Sequence, residues 1–163
     1  MDIEVDNYVN YKESEISGRY ITNDSIASLN SKYNSRICGY SVNNLPINHF
    51  KIGSGPIKIL IWSQMHGNES TSTKALFDSI SFFNLHEPIM LKELTLLVIP
   101  ILNPDGAALY TRENANNIDL NRDARDVSQN ESTVLKSIFE SLQPDLCLNM
   151  HDQRSIFGII EVV

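Results

Sequence analysis

The chain has 163 residues, of which 42% are hydrophobic, and it carries a formal net charge of −7 at pH 7. This length and composition allow one globular domain with a substantial core. The acidic balance argues against general affinity for nucleic acid or an anionic membrane surface, and no apolar run approaches the roughly 18 residues of a membrane span.

The N-terminal region carries no motif that indicates a function. We interpret residues 1–45 as an N-terminal extension, a helix plus a hairpin, that packs on a domain over residues 46–163. The helix is predicted over residues 24–33 because apolar side chains recur there at helical spacing, with Asp24 as the N-cap. The stretch RICGYSV that follows has the composition of a strand.

Apolar strands alternate with amphipathic helices in the rest of the chain. Strands are predicted, in order, in NNLPINHFKIG, IKILIWSQ, ELTLLVIPIL, DLCLNM and SIFGIIEVV, and helices in STSTKALFDSISFF and ESTVLKSIFESL. The composition of NPDG at 103–106 predicts a tight turn, and residues 107–130 are polar and loop-like. This alternation indicates an α/β domain with a largely parallel central sheet.

Polar residues follow the apolar strands at the points where ligands bind in open α/β sheets. His66 and Glu69 follow IKILIW, Asn103 and Asp105 follow ELTLLVIPI, and His151 and Asp152 follow DLCLNM, where Asp152 is a candidate contact of substrate or of the groups around the metal. Two imidazoles and one carboxylate with an open fourth position form a common type of catalytic zinc site. Two of these residues also have a structural interpretation: Glu69 as a first-turn helix acid and His151 as a hydrogen-bonded core histidine.

The stretch TRENANNIDLNRD, residues 111–123, places two arginines in a polar loop of an acidic protein. A guanidinium group binds a carboxylate with two parallel hydrogen bonds, and an adjacent amide can donate another. Arg112, Arg122 and Asn121 are therefore candidates for binding an anionic substrate group. The alternative is a solvated surface loop with local Arg–Asp pairs.

Four motifs in this order resemble the zinc carboxypeptidases of the M14 peptidase family over about residues 55–160. The motifs are HGNE at 66–69, NPDG at 103–106, RENANNIDLNRD at 112–123 and LNMHD at 148–152. The resemblance implies an α/β three-layer sandwich with a mixed, largely parallel central sheet. It also implies a zinc metallocarboxypeptidase that binds one Zn²⁺ per chain and releases C-terminal residues from peptides with a metal-activated water.

The resemblance assigns roles to individual residues. Three residues match the zinc ligands of the family: His66, Glu69 and His151. Asn121 and Arg122 match the pair that holds the C-terminal carboxylate of the substrate. Arg112 matches the arginine that polarises the scissile carbonyl and stabilises the oxyanion. Asp119 matches a carboxylate that orients the first zinc histidine, as partners behind a metal ligand generally do.

One departure from the family pattern concerns the general base. The family uses a glutamate that lies well beyond the second zinc histidine, whereas this chain ends 12 residues after His151 and its Glu161 is too close to match. We expect the 163 residues to be a fragment truncated at the C-terminus and inactive alone; the alternative is an inactive domain. The N-terminus has no signal-peptide pattern, so the expected location is the cytoplasm.

Two other functions remain open on the sequence. HGNE and DLNR also occur in relatives of aspartoacylase and succinylglutamate desuccinylase, which cleave small N-acyl amino acids. The absent general base also fits a non-catalytic module that binds zinc or peptide. The expected partner is accordingly a peptide or a small acyl-amino-acid substrate with a free carboxylate, and neither nucleic acid nor a membrane is expected.

Overall fold

The computed structural model describes residues 5–152. Within this range the strands are β1 (Arg36–Tyr40), β2 (Pro46–Gly53), β3 (Ile57–Trp62), β4 (Leu94–Ile99) and β5 (Leu146–Asn149). The α-helices are α1 (Ala27–Lys32), α2 (Ser70–His86), α3 (Pro104–Leu109), α4 (Leu120–Asp123) and α5 (Asn130–Leu142). Short 3₁₀ helices cover Val5–Asn10 and Met90–Lys92.

The five strands form one mixed sheet in the order β1-β2-β4-β3-β5. β3 is central among the parallel strands and pairs with β4 on one side and with β5 on the other, whereas β2 is antiparallel to both β1 and β4. Trp62 at the end of β3 is in register with Ile99 of β4 and Asn149 of β5. The carboxyl ends of the three parallel strands are therefore level at one edge of the sheet.

Helices cover both faces of the sheet, which confirms the predicted α/β sandwich. Side chains alternate between the faces along each strand. Ile61 of β3 belongs to a core with Leu76 and Phe77 of α2. Leu60, its neighbour in β3, belongs to a second core against which Leu135 of α5 packs.

Two local predictions are wrong. α1 has Ile26 as its N-cap residue, and Asp24 contributes only its main-chain carbonyl, which accepts the Ala27 N–H at 3.3 Å. NPDG is the start of α3: the Asn103 Oδ1 accepts the Gly106 N–H at 2.8 Å, and a proline occupies the first turn. An asparagine N-cap followed by proline is a helix-start signal, and here it prevails over the turn composition.

The predicted polar loop over residues 107–130 also contains the end of α3 and the short helix α4. In the predicted extension, β1 forms a hairpin with β2 at the edge of the sheet; the division at residue 45 stays a prediction. The predicted strand over residues 155–163 and Glu161 lie outside the described residues. Among residues 5–152, no helix has both the length and the apolar character that crossing a membrane requires.

Candidate metal centre

Three predicted metal ligands meet at the carboxyl edge of the sheet. His66 lies in the loop after β3, Glu69 immediately precedes α2, and His151 follows β5. One ligand atom of each lies within 4.8 Å of the others. The β3–β5 pairing brings His151 to this place, because the Met150 N–H still donates to the Trp62 carbonyl oxygen at 2.9 Å.

The Glu69 carboxylate lies between the two imidazoles. Its Oε1 is 2.8 Å from Nδ1 of His66, and its Oε2 is 2.7 Å from Nδ1 of His151. His66 and Glu69 are buried, whereas 32% of the His151 side chain is accessible. Two imidazole nitrogens and a carboxylate within 4.8 Å of one another, one of them on an accessible residue, are a donor set that suits a catalytic zinc ion.

Asp119 contacts His66 at the ring nitrogen opposite the one that faces Glu69. Nε2 of His66 lies 2.9 Å from Asp119 Oδ1, while the other oxygen, Oδ2, accepts from Nε of Arg112 at 3.1 Å. Burial on its own would raise the pKa of Asp119, but the hydrogen bonds with His66, Arg112 and the Asn121 amide outweigh burial and hold the pKa below its ordinary value. The residue is therefore a carboxylate at neutral pH.

The pKa of Glu69 is also lowered. Burial again favours the protonated form, but the hydrogen bonds with His66 and His151 lower the pKa below its ordinary value. Nη1 of Arg112 adds a positive group 3.4 Å from Glu69 Oε1. An anionic carboxylate is the state in which Glu69 can ligate a cation.

Close packing between two loops fixes the start of the HGNE motif. A Cβ on Gly67 would lie 1.9 Å from the carbonyl carbon of Gly106, so only glycine allows this approach. The Asn103 Nδ2 spans both loops, donating to the main-chain oxygens of Met65 at 3.3 Å and Arg112 at 3.4 Å. The loop after β4 thus supports the loop that carries His66.

The second polar cluster has a structural role. Asn103 caps α3. Asp105 is buried, and its Oδ2 accepts the main-chain N–H of Asn43 at 3.1 Å in the β1–β2 turn. Asn103 and Asp105 therefore support the backbone around the site, and neither belongs to the group of three ligand atoms.

The predicted substrate-binding residues lie next to Asp119. Asp119 is the N-cap of α4 and accepts the main-chain N–H of Asn121 at 2.9 Å. Asn121 lines a cavity of about 640 Å³ between α4, α5 and the sheet. Arg122 is exposed, and no carboxylate within residues 5–152 pairs with it. Both residues therefore lie on the short helix α4, whose N-cap Asp119 contacts His66.

Comparison with protein families gives a match to the zinc carboxypeptidase family, Peptidase_M14, over residues 22–145. Curated proteins with similar sequences include probable carboxypeptidase 2 of Trichophyton verrucosum, which is 30% identical over 100 residues. Carboxypeptidase SOL1 of Arabidopsis thaliana is 28% identical over 132 residues. The matches cover 58% and 69% of this chain but only 19% and 27% of the relatives.

Solved structures with the same fold include a metallo-carboxypeptidase from Pseudomonas aeruginosa, with a TM-score of 0.71 and 22% identity. Carboxypeptidase A from Helicoverpa armigera matches with a TM-score of 0.70 and 18% identity. The alignments cover 83% and 82% of this chain, and 41% and 46% of those proteins. At this identity the similarity establishes the fold, and the chain spans less than half of either structure.

Proposed function

Since the chain belongs to the zinc carboxypeptidase family, we propose that it provides the metal centre of an enzyme that releases C-terminal residues from peptides. The observation that carries this proposal is the convergence of His66, Glu69 and His151 within 4.8 Å. We propose these three as ligands of one Zn²⁺ per chain. When bound, the ion would supply Lewis acidity and lower the pKa of its water toward about 7.

The proposed role of Asp119 is to hold His66 in the orientation and tautomer that a metal ligand needs. The hydrogen bond to a carboxylate would keep a proton on Nε2, so that Nδ1, which lies 2.8 Å from Glu69 Oε1, could ligate a cation. The same carboxylate fixes Arg112 through two nitrogens, Nε and Nη2. Asp119 therefore links the proposed metal ligand with the proposed oxyanion donor.

Arg112 is the proposed donor to the oxygen of the scissile carbonyl. Its Nη1 lies 3.4 Å from Glu69 Oε1, so the guanidinium borders the group of ligand atoms. A fixed donor at this place stabilises negative charge that develops on the carbonyl oxygen, and loss of one such donor typically lowers kcat by about 10²–10³. The ion pair with Asp119 holds the guanidinium in place before substrate binds.

Asn121 and Arg122 are the proposed binding groups for the C-terminal carboxylate. The exposed guanidinium of Arg122 can form two parallel hydrogen bonds with a carboxylate, and the Asn121 amide can donate a third. A requirement for a free carboxylate would restrict cleavage to chain ends. We accordingly propose a peptide with a free C-terminus as substrate.

Two other functions are not favoured. The curated relatives are named carboxypeptidases, which does not support an N-acyl amino acid deacylase or a non-catalytic binding module. The deciding experiment combines metal analysis with two substrates. We expect the purified chain to bind one zinc and the His66→Ala variant to lose it. Absence of bound zinc from the wild type after equilibration with the ion would overturn the proposal.

Activity is tested on the protein that contains this chain, with an N-capped dipeptide and an N-acyl amino acid as substrates. Release of the terminal residue from the dipeptide supports the carboxypeptidase, and preference for the N-acyl amino acid supports the deacylase. Zinc and peptide binding without turnover of either substrate would indicate the non-catalytic module.

A further inference from the structure

The N-terminus of α2 is capped by a residue from a distant part of the chain. Glu69 occupies the N-cap position but makes no capping hydrogen bond, because its carboxylate faces the two histidines. The Asp152 carboxylate accepts the main-chain N–H groups of Thr71 at 2.7 Å and Ser72 at 2.5 Å instead. An anion at this end of a helix satisfies unpaired amides and interacts favourably with the helix dipole.

The main chain of Asp152 contacts the proposed metal centre directly. Its N–H donates to Glu69 Oε2 at 3.2 Å, and the same oxygen lies 2.7 Å from Nδ1 of His151. Asp152 is therefore bonded through its side chain to the start of α2 and through its backbone to the carboxylate that precedes α2. Both contacts act on the residue that immediately follows His151.

Within residues 5–152, the ring of His151 has fewer hydrogen-bond partners than the ring of His66. The β3–β5 pairing ends with the bond from Met150 to Trp62, and His151 comes after that point. His66 is buried and its ring is held by Asp119, whereas His151 is an accessible residue whose ring contacts Glu69. Within residues 5–152, the hydrogen bonds of Asp152 thus join the segment after β5 to α2.

We infer that Asp152 is a positioning residue which holds His151 beside Glu69 by anchoring the segment after β5 to the N-terminus of α2. The inference rests on the proposed zinc function. In this arrangement each histidine has its own carboxylate support: Asp119 acts on the ring of His66, and Asp152 acts on the backbone of His151. Partners of this kind typically change metal affinity by about 10–100-fold.

The test measures zinc affinity of the 163-residue chain by competition with a chromophoric chelator. We expect Asp152→Ala to weaken zinc binding by about 10–100-fold, and Asp152→Asn, which keeps one acceptor oxygen, to weaken it by less. The matched control is Asp145→Ala. Asp145 precedes β5 at its other end, and its Oδ2 accepts the Lys58 N–H at 2.8 Å. That variant removes a similar bond and should leave the zinc affinity within about twofold.

A cobalt spectrum gives a second readout, because altered placement of one histidine changes the ligand-field bands while a general loss of stability does not. Unchanged zinc affinity and cobalt spectrum in a folded Asp152→Ala variant would overturn the inference alone. If that variant does not fold, Asp152→Asn decides in the same way. A wild type that binds no zinc would overturn the proposed function, and the inference with it.

Discussion

Nε2 of His66 lies 2.9 Å from Oδ1 of Asp119, while Nδ1 of the same ring faces Glu69. The bond to Asp119 selects the ring nitrogen that is available to a metal. The Asp119 carboxylate would keep a proton on Nε2 when a cation takes the place of the hydrogen bond between Nδ1 and Glu69. The orientation of the ring is thus fixed before any ion binds.

The first prediction tests this bond with Asp119→Asn. Asparagine is as good an N-cap as aspartate, so α4 should persist, but the charged acceptor for His66 and Arg112 is lost. We expect zinc to bind about 10–100-fold more weakly, as measured by chelator competition. Asp126→Asn is the control, because it removes the same charge from an exposed position in the following loop. Equal zinc affinities of the two variants would contradict the role of Asp119.

The second prediction concerns the contact between Gly67 and Gly106. A methyl group at Gly67 would lie 1.9 Å from the backbone of Gly106, and two backbone segments cannot separate without moving His66. We expect Gly67→Ala to lower the free energy of unfolding by about 1–3 kcal/mol or more and to weaken zinc binding, as measured by urea denaturation and chelator competition.

Gly18→Ala separates steric conflict from backbone strain. Gly18 has a φ of +79°, and a Cβ at this position would meet no atom within 4 Å. We therefore expect Gly18→Ala to lower the free energy of unfolding by about 1–2 kcal/mol, because an alanine disfavours the left-handed conformation. The zinc affinity of this variant should match that of the wild type. A Gly67→Ala variant with wild-type stability and zinc affinity would show that the two loops can separate freely.

The elements that the sequence predicts well are those with strong periodicity. The helix predicted over STSTKALFDSISFF corresponds to α2, because Leu76, Phe77 and Ile80 face the core with helical spacing. The apolar run ELTLLVIPIL corresponds to β4, which is paired on both sides. The turn prediction at NPDG is wrong because the same residue types that form turns also start helices, and only the following residues decide between them.

The convergence of the three proposed ligands is predictable because each follows a strand, and the level ends of β3 and β5 bring them together. The residues that support these ligands cannot be predicted in the same way. Asp152 accepts the amide of Ser72, which lies 80 residues earlier in the chain, and nothing in the spacing indicates such a cap. Asp105 also follows a strand, yet its side chain turns toward Asn43. The ends of the strands predict where the site lies, but the direction of each side chain decides whether that residue belongs to the site.

The third prediction is a pH dependence of stability in the N-terminal segment. Glu13 is buried and forms an ion pair with Lys32 at 2.9 Å. Burial alone would raise the pKa of Glu13, but the bonds from Lys32 and the Glu15 amide lower it below the ordinary 4.5. A lowered pKa means that the folded state favours the carboxylate, so this stabilisation is present above about pH 4.5 and is lost as the pH falls through the folded pKa.

We expect Glu13→Gln to lower the free energy of unfolding at pH 7 by about 0.5–1 kcal/mol, a small value because Lys32 is partly exposed. The difference in the free energy of unfolding between Glu13→Gln and the wild type should shrink as the pH falls through the pKa that Glu13 has in the folded state. Urea denaturation at several pH values measures it, with the exposed Glu15→Gln as the control. A difference between Glu13→Gln and the wild type that does not change with pH would show that the ion pair is not its source.

The last prediction separates substrate binding from metal binding at α4. Arg122 is exposed and lies three residues after Asp119, the residue that supports His66. Replacing it with alanine removes the proposed partner of the substrate carboxylate but leaves the ligand atoms untouched. In the protein that contains this chain, we expect Arg122→Ala to raise KM for peptides with a free C-terminus strongly and to leave zinc affinity unchanged. Arg36→Ala, on the distant edge strand β1, is the matched control and should change neither quantity. An unchanged KM in the Arg122→Ala variant would remove Arg122 from the substrate site, and a parallel loss of zinc would show that α4 supports the metal centre as a whole.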